Sequence, residues 1–237
     1  MKNLIKTIDP SIFTKVTYDR VIYDALTDNV IVTGGEEEVE EVITYEYVDL
    51  GLSVKWATMN VGAKTEEDYG HYYMWGSITP NTPDECNWAN TPFNNGATSY
   101  DTTYFNSVKD TVIPNKVLAK EYDVAAQIMG GDWRMPTKAE LQELIDYTTN
   151  EWITNYNGTG VNGRKFTGSN GNSIFIPAAG LCYSGSVYGV GDYCGVWSSS
   201  LYTSSPDYAY YLDFNSGSCN MSEDFRYLGW SVRGVRK

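Results

Sequence analysis

Four cysteines, one histidine and a few clustered acids are the side chains through which this chain could do covalent, metal or acid–base chemistry. Cys86, Cys182, Cys194 and Cys219 form no CxxC pair, and His71 stands at no ligand spacing from them, so the pattern offers no zinc site. Disulfide pairing stays open. Asp84 and Glu85, in NTPDECNWAN, fall short of the converging oxygens that a hard cation needs and read as loop acids. Glu143 and Asp146 read as solvated helix surface rather than a general acid and base. His71, beside Tyr72 and Tyr73, reads as a half-buried, hydrogen-bonded residue. The stretch VWSSSLYTSSPDYAYYLDFNSGSCNMSEDFRYLGWSVRGVRK (196–237) suits contact rather than catalysis. Tyrosine and tryptophan offer large, stiff contact area with a polar tip, and serine adapts around them.

Such residues need a frame. At 237 residues, with 42% hydrophobic and 14% aromatic content, the chain is long enough for one sizeable core, with or without a small appendage. The apolar runs are too short for membrane insertion. A net charge of −13 supplies no basic footprint for nucleic acid. MKNLIKTIDPSIF has no apolar core of signal-peptide length, so synthesis in the cytoplasm is expected.

The pattern predicts an α+β fold. Residues 1–45 read as a strand-rich extension ending in Gly-Gly, and the acid run EEEVEE (36–41) as a solvated hinge. VITYEYVDLGLSVKWATMNVGA reads as two strands around Gly51. Residues 76–116, rich in Asn, Thr, Pro and Gly, are expected to form long loops. Two helices are legible. One follows an Asp123 N-cap and ends at Gly130-Gly131; the other follows Thr137 and Glu140, a capping box, with Leu141, Leu144 and Ile145 on one face. KFTGSNGNSIFIPAAG reads as a hairpin turning at Asn170-Gly171, with Ile174 and Ile176 inward.

Six segments in order, YVDLGLSVKWATMNVGA (47–63), YGHYYMWG (69–76), GGDWRMPTKAELQELI (130–145), GNSIFIPAAG (171–180), WSSS (197–200) and SVRGVR (231–236), resemble the paralogous C-type-lectin-like domains of gut bacteria and their phages. These are related in fold to formylglycine-generating enzymes and to the phage major tropism determinant. The resemblance covers about residues 45–237 and implies a C-type-lectin-like domain over 46–237, preceded by an attachment or oligomerisation extension. Members often serve as targets of diversity-generating retroelements, whose error-prone copying turns AAC asparagine codons into codons for Tyr, Asp, Ser, Cys, Phe and others. The resemblance thus implies a variable region at about 181–237, with Cys194 and Cys219 as products of mutagenesis. It implies ligand contacts by Tyr183, Tyr188, Asp192, Tyr193, Val196, Tyr202, Ser204, Asp207, Tyr208, Tyr211, Asp213, Ser222, Asp224, Phe225, Tyr227, Leu228 and Trp230. Strand alternation in YAYYLDF puts Tyr210, Leu212 and Phe214 on one face, and Tyr211 and Asp213 together on the other, outward. Trp56, Trp75, Trp133 and Trp197, inside the shared motifs, are expected in the core, with Arg134 stacked on Trp133; Trp230 is expected to be exposed.

The functional expectation is a non-enzymatic receptor-binding protein on a phage tail or cell surface. Its partner would be a protein or glycan receptor on a target cell, with no cofactor and no metal, and a homotrimer as one mode of display. The Glu-Pro-Asn and Trp-Asn-Asp motifs of calcium-dependent lectins do not occur, and no cysteine pair matches the reactive one of formylglycine-generating enzymes. A structural decoration protein is the alternative.

Overall fold

The structure, a computed structural model, describes residues 43–237 and the backbone of two earlier strands, β1 (Arg20–Asp24) and β2 (Asn29–Thr33). The chain divides into two compact units, Met1–Ile43 and Thr44–Lys237. In the first, β1 and β2 pair antiparallel from Arg20↔Thr33 to Asp24↔Asn29. The acid run and the expected role of residues 1–45 lie outside the described residues.

The second unit is α+β, with three α-helices and short antiparallel strands. β3 (Tyr47–Val48) pairs with β4 (Lys55–Asn60) across the turn that holds Gly51 at φ 78°. The stretch expected to be loops contains a helix, α1 (Thr102–Val112). Asp101 caps it by accepting the Tyr104 N–H, and Phe105, Val108 and Val112 put apolar groups on one side. The surrounding Asn, Thr and Gly hid that short stripe. Both expected helices form: α2 (Val124–Met129) behind Asp123, and α3 (Lys138–Tyr147) behind the Thr137–Glu140 capping box.

α3 leads into the sheet β5 (Thr148–Ile153), β6 (Gly163–Gly168) and β7 (Ser173–Pro177). The β6–β7 turn spans three residues rather than two, because Gly168 N–H reaches Asn172 C=O, and Gly171 takes the positive φ. Ile174 and Ile176 are buried as expected. Next come the hairpin β8 (Leu181–Tyr183) and β9 (Ser186–Tyr188), and then the central sheet of β10 (Tyr193–Leu201), β11 (Tyr208–Asn215) and β12 (Cys219–Phe225). β13 (Arg233–Arg236) returns to pair with β4.

Both faces of the central sheet are covered near its middle. Val196, Leu212 and Phe214 point into a cluster with Trp56, Leu141, Leu144 and Phe166. Trp197, Ala209 and Tyr211 point into another with Tyr73, Trp75, Phe105 and Trp230. The four motif tryptophans are core residues. Arg134 does not stack on Trp133; it forks onto Glu140 at 2.8 and 2.5 Å, and Arg236 lies 5.5 Å from the Trp133 ring instead.

The shared motifs now have physical reasons. WSSS is a bulge, since the β10–β11 register shifts between Trp197 and Leu201. There Ser198 Oγ donates to Tyr210 C=O at 2.8 Å, Ser199 N–H reaches Pro136 C=O, and Ser200 Oγ accepts from Lys138 N–H. In SVRGVR the fully buried Arg233 donates to Asn60 Oδ1, Ala57 C=O and Phe175 C=O at 3.0, 2.9 and 2.8 Å, tying β4 to β7. Burial lowers its pKa to about 9, still above neutrality.

Candidate ligand-binding face

The central sheet aligns side chains distant in sequence. Register pairs Gly195 with Asp213, Trp197 with Tyr211, Tyr211 with Ser222, Asp213 with Asn220 and Ala209 with Asp224. Tyr193, Asp213, Ser222 and Asp224 therefore share one face with Tyr211. Beneath them lies an aromatic floor, Tyr211 stacked on Trp230 with centroids 5.2 Å apart, and Tyr193 meets Trp230 edge-on at 6.1 Å. Gly195 leaves room for that floor. A Cβ there would sit 2.5 Å from the Trp230 ring and 2.7 Å from Tyr211.

A chain of ring contacts runs along the end of the sheet, where Tyr208 and Phe225 are paired in register with the opposite parity to Asp224. Tyr202 meets Tyr208 at 6.4 Å, Tyr208 stacks on Phe225 at 4.2 Å, Phe225 on Tyr227 at 5.4 Å, and Tyr227 touches Tyr183 at 5.8 Å. Arg226 holds this region from below. Fully buried, it donates through Nε to Pro206 C=O at 2.8 Å and through Nη1 to Pro92 C=O at 3.2 Å, with its guanidinium 4.5 Å from the Phe105 ring centre.

Electrostatically, Asp224 is the hub. Its carboxylate accepts from Phe225 N–H at 2.9 Å and from Trp230 Nε1 at 3.3 Å. Burial pushes its pKa up to about 6, and the neighbouring Asp213 charge adds to the shift. Burial also raises Asp213. The hydroxyls of Tyr193, Tyr208, Tyr211 and Tyr227 are all raised, first by burial and then by nearby negative groups that include Asp224.

A family model described as Lcl C-terminal domain matches residues 65–236. The chain belongs to that family. No curated protein and no solved structure matches the chain. The Lcl C-terminal domain takes in every strand and ring of the face, and membership supports relatedness to the variable-protein group that the sequence resembles. It shows no particular function.

Within this Lcl C-terminal domain the seventeen expected contact residues divide. Tyr193, Asp213, Ser222 and Asp224 share the sheet face, and Tyr183, Tyr202, Tyr208, Phe225 and Tyr227 form the ring chain at the end of the sheet. Tyr188, at 46% exposure, and Asp192, Ser204 and Asp207 lie on flanking turns and hairpins without a ring contact to it. Four are corrected. Val196, fully buried, takes the opposite parity on β10 and packs with Leu212 and Phe214. Leu228, at 6% exposure, packs in the cluster of Trp75 and Phe105. Tyr211, at 8%, points to the expected face, but Trp230 covers it. Trp230 itself is 3% exposed, because its backbone N–H and C=O are hydrogen-bonded to Tyr73 and its ring lies against Gly195.

Sequence reasoning missed Trp88, which comes from the long loop yet meets Tyr227 at 5.0 Å and Phe225 at 6.1 Å; a lone tryptophan in an Asn-rich stretch carried no periodic signal. It also missed Arg226, whose lone positive charge in an acidic tract was a readable hint of burial with partners. Of the candidate chemical residues, Glu85 is taken up by Thr82, whose N–H and Oγ1 it accepts at 2.7 and 2.9 Å. Glu143 accepts from Ser53 N–H, tying α3 to the β3–β4 turn. His71 is exposed rather than half-buried, its ring lying over Gly62. Cys86 and Cys182 are buried free thiols with sulfurs 3.6 Å apart.

Proposed function

We propose that this chain is a non-enzymatic ligand-binding protein with a C-type-lectin-like frame. One outer face of that frame is diversified by a retroelement, for display on a phage tail or cell surface against a receptor on a target cell. One observation carries the reading: of the residues expected to vary, Tyr193, Asp213, Ser222 and Asp224 share one face of the central sheet and Tyr183, Tyr202, Tyr208, Phe225 and Tyr227 form a chain of ring contacts along its end, while the motif residues Trp56, Trp75, Trp197 and Arg233 are buried. A rigid frame with exchangeable rings and acids is a physical design for contact with changing partners.

The two thiols of the central sheet, Cys194 and Cys219, support a role without covalent chemistry. Burial pushes Cys194 and Cys219 to about 11, which leaves roughly one thiol in a thousand as thiolate at pH 8. Arg233 near Cys194 and Arg164 near Cys219 pull the other way, and burial outweighs them.

The test is to sequence this gene from many sibling isolates. Substitutions are expected at the nine positions of the sheet face and ring chain and at the flanking Tyr188, Asp192, Ser204 and Asp207. Val196, Tyr211, Leu228 and Trp230 are expected to change only among apolar and aromatic types, because each fills a core. An adenine-rich near-copy and a reverse transcriptase gene are expected nearby. Changes scattered evenly over the chain would overturn the proposal.

A further inference from the structure

Spacing along the chain left the pairing of the four cysteines open, and the fold brings two of them together. Cys86 Sγ donates to Cys182 Sγ at 3.6 Å, although the two residues stand 96 apart in sequence. Cys194 and Cys219 are not a second pair. Both register with Phe214, one strand to either side, so two strand spacings of ~4.8 Å put them ~10 Å apart, beyond disulfide reach. They also belong to a different core cluster from Cys86 and Cys182. The thiol contact lies where three segments close. Cys182 exchanges two backbone hydrogen bonds with Gly229, at 3.0 and 2.9 Å, and Gly185 N–H reaches Pro83 C=O at 3.2 Å. Glycine is required at 229, because a Cβ there would sit 2.9 Å from Cys86 Sγ and 2.9 Å from Cys182 Cβ. Met74, Tyr72 and Tyr227 pack around the sulfurs, which are almost wholly buried. Cys86 stands two residues before Trp88 and Cys182 one before Tyr183, and both of those rings meet Tyr227. The thiols therefore join the two segments whose rings converge on Tyr227.

We infer that Cys86 and Cys182 are the site of an intramolecular disulfide, which fastens the loop carrying Trp88 to β8 when the protein meets an oxidising disulfide. The oxidant is a small-molecule disulfide, R–S–S–R, or its counterpart on a thiol oxidoreductase. The Cys182 thiolate, favoured by the hydrogen bond it accepts from Cys86, attacks one sulfur of the oxidant and expels RS⁻. That leaves Cys182 in a mixed disulfide with R. Cys86 gives its proton to the departed RS⁻, attacks the Cys182 sulfur and expels the second RS⁻. Two electrons and two protons thus pass from the cysteine pair to R–S–S–R, which leaves as two RSH. Both sulfurs are closed off from solvent, so exchange waits on opening of the 82–91 loop, and the finished bond is shielded from reductants in the same way. The cross-link fixes the frame whichever role the rings serve, and does not depend on the binding role proposed above.

The full chain, purified under reductant, is moved without denaturant into millimolar oxidised glutathione at about pH 8. It is followed by intact mass, by thiol count in denaturant and by peptide mapping without reduction. The mass is expected to fall by two hydrogen atoms, the free thiols to fall from four to two, and a peptide containing Cys86 to be found linked to one containing Cys182. Closing a loop of this length should raise the melting midpoint by about 5 °C or more over the reduced protein. Hydrogen exchange of the 82–91 backbone should slow by about tenfold or more. Under the same treatment Cys86→Ser should show neither the rise nor the slowing, whereas Cys219→Ser should show both. The mapping is done on the parent protein, so it does not depend on how well Cys86→Ser folds. Four thiols persisting, glutathione adducts without the link, a link through Cys194 or Cys219, or a Cys86–Cys182 link that leaves the midpoint unchanged would overturn the inference.

Discussion

Asp224 is the residue at which contact and stability pull in opposite directions. Its folded pKa of about 6 lies above the ordinary 3.8, so the folded protein holds this proton more tightly than the unfolded chain does. The stabilisation this gives is complete below about pH 4 and is lost as pH rises through about 6. The groups facing the carboxylate are Asp213, which raises the pKa further, and the donors Phe225 N–H and Trp230 Nε1, which lower it. Asp224→Asn removes the charge and keeps an acceptor for Trp230. Chemical denaturation of both proteins should show the variant more stable than the parent at pH 7.5, by about 1–2 kcal/mol after allowance for partial exposure. Near pH 4 the difference should vanish. An unchanged difference across that range would mean that the carboxylate is not desolvated as described.

Helices and loops decide whether the rings meet at all. Trp88 reaches Phe225 and Tyr227 only because its long loop is pinned at both ends, and Asn94 is one of the pins. Its Nδ2 donates to Trp88, Ala97 and Ser99 carbonyls and its Oδ1 accepts from Asp101 N–H, which places the N-terminus of α1. Asp101 then caps the helix. Asp101→Ala should destabilise the fold by about 1 kcal/mol, the usual cost of a lost N-cap, read as a lower denaturation midpoint with unchanged slope. Because Phe105 of this helix packs under Arg226, the same variant should also quicken hydrogen exchange of the 91–101 backbone. Exchange that stays unchanged there would show that the loop is held without the helix. α1 was not legible as a helix because its apolar stripe is only three residues long and sits among residues that usually make turns. The capping box of α3 was legible because its two members are three residues apart in sequence, and that local geometry needs no tertiary partner.

At the scale of the molecule, both core clusters lie within residues 44–237, with the central sheet between them. A chain starting at Thr44 should therefore fold alone, with a thermal midpoint within about 2 °C of the full-length protein's for this unit; loss of cooperative melting would show that the first forty-three residues are needed. Composition, capping signals and strand alternation were enough for the α+β class, two of the helices and the type of residue that crowds the face, since each depends on neighbours along the chain; the core tryptophans were expected from the motifs of the family resemblance. Parity in β11 was right as well: Tyr211 and Asp213 do point to the same side. The depth of that side was not readable. Trp230 covers Tyr211 through a return of the chain that pairs Trp230 with Tyr73 and Ser231 with Gly195, contacts between segments far apart in sequence. Alternation says which way a side chain points. What lies over it is decided only when distant segments close, and that closure separates the nine residues of the sheet face and ring chain from the four that became core.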